Sequence, residues 1–115
     1  MNLMNNPPMG QRAPKAGKDP VYLKGVAQLP CCICEAYGEV KLSRTTVHHT
    51  ICGRYGTHKT PDRQAIPLCG GHHQGDLDTS KTAIHRDREE WVRKYGKDTD
   101  YIARTQDAVA GEINT

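Results

Sequence analysis

The sequence predicts a small single-domain α+β fold, a ββα frame with flanking helices held together by metal. Three observations carry this. Helically spaced apolar residues precede and follow two short β-branched stretches. Two half-sites for a metal, Cys31-x2-Cys34 and Cys69-x2-His72, sit about 35 residues apart. And 115 residues with no Phe, one Trp and 36% apolar content supply only a thin core. A chain of this length makes one domain and buries roughly two thirds of its unfolded surface. Small domains with such cores are commonly stapled by a metal or disulfides.

Residues 1–18 are rich in Asn, Pro, Gly and Lys/Arg without an acid, and read as a flexible basic tail. The folded domain is expected over 19–111. Asp19 is placed to cap a first helix with Pro20 at its first position, where a missing N–H costs nothing. Tyr22, Val26 and Leu29, with Leu23 beside them, give that helix its apolar face despite Gly25, and Pro30 ends it. The Val and Thr content of "YGEVKLSRTTVHHTI" suits a hairpin or extended strands with a turn near Gly38. Residues 52–62 form a loop, and "RQAIPLC" is a second strand weakened by Pro67. "AIHRDREEWVRKYG" predicts a helix with Ile84, Trp91 and Tyr95 inward and Gly96 as its stop. Asp98 or Thr99 caps a last helix carrying Tyr101, Ile102, Thr105 and Val109 on one side, and 112–115 is a disordered C-terminus.

The five cysteines are an odd number, and the start of the chain has no apolar signal run. No stretch approaches the roughly 18 apolar residues a membrane span requires. The expectation is a cytoplasmic protein with reduced thiols and no membrane partner. A formal charge of +3 permits nucleic-acid binding without demanding it.

Zinc takes four ligands tetrahedrally, and a two-residue spacer lets one tight turn aim two side chains at one ion. Cys31, Cys34, Cys69 and His72 are therefore expected to hold a structural Zn²⁺. Cys32 rivals Cys31 but reads better as a small buried apolar residue, and Cys52 reads as a free thiol. Adjacent residues on a strand face opposite ways, so His48 and His49 divide their labour, one binding metal and the other working beside it. His73, directly after a zinc ligand, points away from that zinc. Two distinct metal sites on one frame follow, one closed and one open.

The residues "VHHTI…D…IPLCGGHH" resemble the ββα-metal motif of HNH endonucleases. The wider run "LPCCIC", "VHHTICGRYG", "IPLCGGHHQG", "AIH" and "EEWVRKYG" resembles the phage Ref-like, RecA-dependent nuclease family over residues 20–109. The resemblance implies that His48 and His73 ligate a catalytic divalent ion (Mg²⁺, Mn²⁺, Ni²⁺ or Zn²⁺) and that His49 is the general base. An unperturbed imidazole suits proton abstraction near neutral pH. Two departures stand out. The usual last ligand position, four residues after the helix His, is Leu77, and His85 is the replacement candidate. The middle Asn is absent, and Asp62, or less well Gln64, would orient the base. Arg54 and Lys59 lie in the loop beside the expected site and suit phosphate contacts. His58 reads as a surface residue, and Trp91 and Tyr95 as core. With no recognition helix, structure-guided or nonspecific cleavage of DNA is expected, with a recombinase filament as a further partner implied by the resemblance. The rival reading is a noncatalytic zinc module for nucleic acid or protein. Nothing in the sequence sets the oligomeric state.

Overall fold

A two-stranded antiparallel sheet followed at once by a short helix forms the centre of the protein. The structure, a computed structural model, describes residues 17–54, 59–76 and 78–113. Most of the expected basic tail, together with His58 and Leu77, lies outside the described residues. Strand β1 (Thr45–His49) pairs with β2 (Ala65–Cys69) in a register that sets Thr45 opposite Cys69 and His49 opposite Ala65. Pro67 is tolerated because each strand of a two-stranded sheet is an edge. Helix α3 (Gly70–His73) follows directly, completing the ββα unit.

Helix α1 (Pro20–Ala27) forms as the sequence indicates: Asp19 Oδ1 accepts the Tyr22 N–H at 3.1 Å, and Pro20 opens the first turn. The stretch before Gly38 carries an element the sequence left unassigned. Residues Cys32–Tyr37 form helix α2, and Gly38, at the expected turn, ends it in the left-handed region at φ 67°. The reason is local: the Cys31 Sγ caps this helix by accepting the Cys34 N–H at 3.5 Å, so the first half-site is itself a helix start. The extended chain begins only at Thr45.

Helix α4 (Arg88–Tyr95) is shorter than the apolar pattern suggested, because Asp87 caps it by accepting the Glu90 N–H. Ile84 and His85 instead run back along the ββα unit, their N–H groups donating to the His72 and His73 carbonyls at 2.9 and 3.1 Å. A 3₁₀ turn over Asp98–Tyr101 leads into α5 (Ile102–Ile113), which extends past the expected boundary at 111. Asp98 caps nothing; its side chain turns into the core. No helix among the described residues is long and apolar enough to cross a membrane.

Two apolar clusters hold these elements. Ile33, Ile66, Leu68, Ile84 and Trp91 pack around the cysteines. Tyr22, Val26, Ala65 and Val109 join α1 and α5 to the back of the sheet.

Candidate metal centres

Cys31, Cys34, Cys69 and His72 converge from the start of α2, the end of β2 and α3, and all four are buried. The His72 Nδ1 lies 3.4, 3.6 and 3.4 Å from the sulfurs of Cys31, Cys34 and Cys69, and the Cys34 and Cys69 sulfurs are 3.8 Å apart. One imidazole nitrogen cannot hydrogen-bond three sulfurs at once. A tetrahedron with Zn–S near 2.3 Å and Zn–N near 2.0 Å has edges of about 3.8 Å between sulfurs and about 3.5 Å from sulfur to nitrogen. The donor set therefore fits a structural zinc.

Charge points the same way. Burial and the neighbouring Cys69 push the Cys34 thiol up to about 11, while Cys69 is held down to about 3, chiefly by the bond from Cys31. Without a cation these thiols oppose one another's ionisation; a divalent cation removes the conflict. Outside the ligand shell, the His72 Nε2 donates to Glu39 Oε1 at 3.1 Å, and the Tyr95 hydroxyl donates to Glu39 Oε2 at 3.1 Å. That bond fixes the tautomer that leaves Nδ1 free for metal.

His48, His73 and His85 form a second cluster. Their ring centroids are 5.0 to 5.3 Å apart, and one nitrogen from each lies within 4.8 Å of the others. The cluster is graded in exposure: His48 is buried, His73 half-buried and His85 exposed.

Two of the three tautomers are set by the chain. The His48 Nε2 donates to Asp98 Oδ2 at 2.9 Å, leaving a buried Nδ1 with no hydrogen-bond partner. The Thr46 hydroxyl donates to the Leu68 carbonyl at 2.7 Å, so its oxygen accepts from the His73 Nδ1 at 2.8 Å and frees the His73 Nε2. Burial, then the neighbouring His48 and His85, lower His73 to about 4. His85 is lowered by burial, then by His48 and Arg54. Both rings are thereby kept in the neutral form that ligates metal.

Asp98 is the hub of this side of the molecule. Beyond His48 it accepts the Ile51 and Cys52 N–H groups at 2.7 and 3.1 Å. Burial works to raise its pKa, but these bonds prevail and hold it at about 2.

His49 stands apart from this cluster on the alternate face of β1, with its Nε2 donating to Asp62 Oδ1 at 2.9 Å. Asp62 is itself fixed: its Oδ2 accepts the Asp19 N–H at 2.8 Å, and its own N–H donates to the Gly17 carbonyl at 2.7 Å. Lys59, Lys18 and Asp62 line one cleft, while Arg54 is exposed on the loop after β1. Gln64 is exposed, and the His49 ring bonds to Asp62 rather than to it. Cys32 and Cys52 are buried free thiols outside both clusters. Sequence reasoning missed Glu39, Asp98 and Thr46, since a carboxylate or hydroxyl that orients a histidine carries no spacing of its own.

The chain matches the family described as "Protein of unknown function (DUF968)" over residues 4–111 and belongs to it. No curated protein and no solved structure matches it.

Proposed function

We propose that this protein is an HNH-type endonuclease that hydrolyses DNA phosphodiester bonds using one divalent ion and a histidine base. One observation carries the reading: His48, His73 and His85 gather into a second, more open ligand set, and the next residue on β1, His49, is held by a carboxylate. A zinc-stapled binding module has no use for that second set. The resemblance of "VHHTI" and "IPLCGGHH" to the HNH motif, and of the wider chain to Ref-like nucleases, points to the same chemistry.

In this reading the bound ion would act as a Lewis acid on the scissile phosphate and the leaving 3′ oxygen. The residues do the rest. Asp62 holds the His49 Nε2–H, which leaves Nδ1 as the nitrogen that takes a proton from the attacking water. Asp98 and Thr46 hold His48 and His73 with their free nitrogens unprotonated. Arg54 and Lys59 supply guanidinium and ammonium contacts to the DNA backbone. The recombinase filament enters through the sequence resemblance, as the setting in which the DNA is presented.

The test is cleavage of plasmid and single-stranded DNA with Mg²⁺, Mn²⁺ or Ni²⁺, with and without a recombinase filament, beside the His49→Ala variant. Loss of general-base catalysis is expected to slow cleavage by about 10²–10⁴-fold with zinc content unchanged. A folded, zinc-loaded variant that cuts as fast as its parent removes His49 from the mechanism. A parent that binds DNA and cuts under none of these conditions leaves the zinc module.

A further inference from the structure

We infer that the cleft between the loop after β1 and the face of α4 is a second phosphate subsite, holding the DNA backbone beside the linkage that is cut. The inference rests on the nuclease reading above. The cleft is lined by Cys52, Gly53, Arg88, Glu89, Val92 and Lys97.

Its position ties it to the histidine cluster. Cys52, buried at its edge, donates its N–H to Asp98 Oδ1 at 3.1 Å, and the other oxygen of the same carboxylate holds the His48 Nε2 at 2.9 Å. One carboxylate thus separates the cleft from a proposed metal ligand. Arg54 follows Gly53 in the chain, so it adds a third cation beside the Arg88 and Lys97 of the lining.

These cations are available. Arg63, Lys81 and Arg93 are engaged by Asp19, Asp78 and Glu90. Arg54, Arg88 and Lys97 are exposed and make no ion pair among the described residues. Among the described residues of the lining, Glu89 is the single acid, set against Arg88 and Lys97. Gly53 adds access: it sits at φ 87°, and nothing among the described residues lies within 4 Å of where a side chain would stand. A phosphate can approach its backbone closely. Val92, half-buried, offers an apolar wall suited to a deoxyribose.

Phosphate contacts release counterions, so each lost contact flattens the dependence of binding on salt by about one unit of the log–log slope. The experiment compares two double variants of the full, zinc-loaded chain that lose the same charge. Arg88→Ala/Lys97→Ala empties the cleft of cations; Lys24→Ala/Arg104→Ala removes exposed cations from α1 and α5. Binding of fluorescent duplex and single-stranded DNA is followed by anisotropy from about 50 to 200 mM salt, the range over which such contacts are read. The cleft variant is expected to lose about two units of slope and to raise KM for cleavage with kcat retained, while the control keeps the parent slope. Equal losses in the two variants, with the parent still cutting DNA, overturn the subsite and leave the nuclease reading standing. A parent that neither binds nor cuts DNA overturns both.

Discussion

Asp98 accepts three donors at once, the His48 ring and the Ile51 and Cys52 amides, from a fully buried position. Asp98→Asn replaces one acceptor oxygen with an amide donor that faces donors. A buried hydrogen bond to a charged group is worth about 1.5–3 kcal/mol, and a loss of that order is expected in urea denaturation at neutral pH. The sign with pH follows from the depressed pKa. The stability that Asp98 lends is complete above pH 3.8 and disappears as pH falls through about 2, so parent and variant converge in acid. The same change is expected to weaken Ni²⁺ binding at the histidine cluster by about 10–100-fold in calorimetric titration. A variant of parental stability and metal affinity would remove Asp98 from its positioning role. The contrast with His48 and His49 is instructive. Their separation was legible because a strand alternates with period two. Asp98 lies 50 residues from His48, and Glu39 lies 33 from His72. Such pairings are made by the fold, so no local pattern announces them, and Asp98 looked like a helix cap because Asp before a helical run usually is one.

Among the elements, helices α1 and α5 meet at Gly25, a residue that reads from sequence only as a weakness in the first helix. A Cβ built there lies 2.8 Å from Val109 Cγ1, so the missing side chain is what lets the two helices approach. Gly25→Ala sets two effects against each other. Helix propensity favours alanine by up to about 1 kcal/mol. Overpacking against a buried Val109, within a cluster that includes Tyr22 and Val26, costs about 1–3 kcal/mol. Net destabilisation is expected, read as a lower urea midpoint with an unchanged slope. An unchanged or raised midpoint would mean that Val109 moves aside freely. Helix α2 was obscured for a different reason. The Val and Thr residues that signal a strand begin to pair only at Thr45, whereas the Cys31-x2-Cys34 spacing that reads as a metal half-site also starts a helix. The metal signal was seen and its secondary structure was not. The ββα order survived because β1, β2 and α3 each carry their own histidine or cysteine markers.

For the molecule as a whole, the buried Cys₃His set stands where a zinc ion would substitute for the core that the composition withholds. Its four ligands tie α2 to β2 and α3, and Glu39 carries the connection through Tyr95 to α4. The Tyr95 carbonyl then accepts the Tyr101 hydroxyl at 2.6 Å, reaching the turn that opens α5. Trp91, fully buried, packs within the same cluster. Structural zinc sites bind with roughly 10–16 kcal/mol, while whole domains are stable by only about 5–15 kcal/mol. Removing zinc is therefore expected to abolish the cooperative fold. A strong chelator should erase the near-ultraviolet circular dichroism of Trp91 and its tyrosine neighbours, and added Zn²⁺ should restore it. Glu39→Ala, which frees the His72 ring to rotate, should reach this transition at zinc activities about 10–100-fold higher than the parent requires. Metal at the histidine cluster should be lost earlier, because that set has three donors against four and opens to solvent at His85. On the nuclease reading, mild chelation is thus expected to yield a folded protein that keeps one zinc and no longer cuts DNA. A fully stripped chain that still unfolds cooperatively, with its aromatic signal intact, would place the fold's stability in the apolar clusters and leave zinc as an accessory.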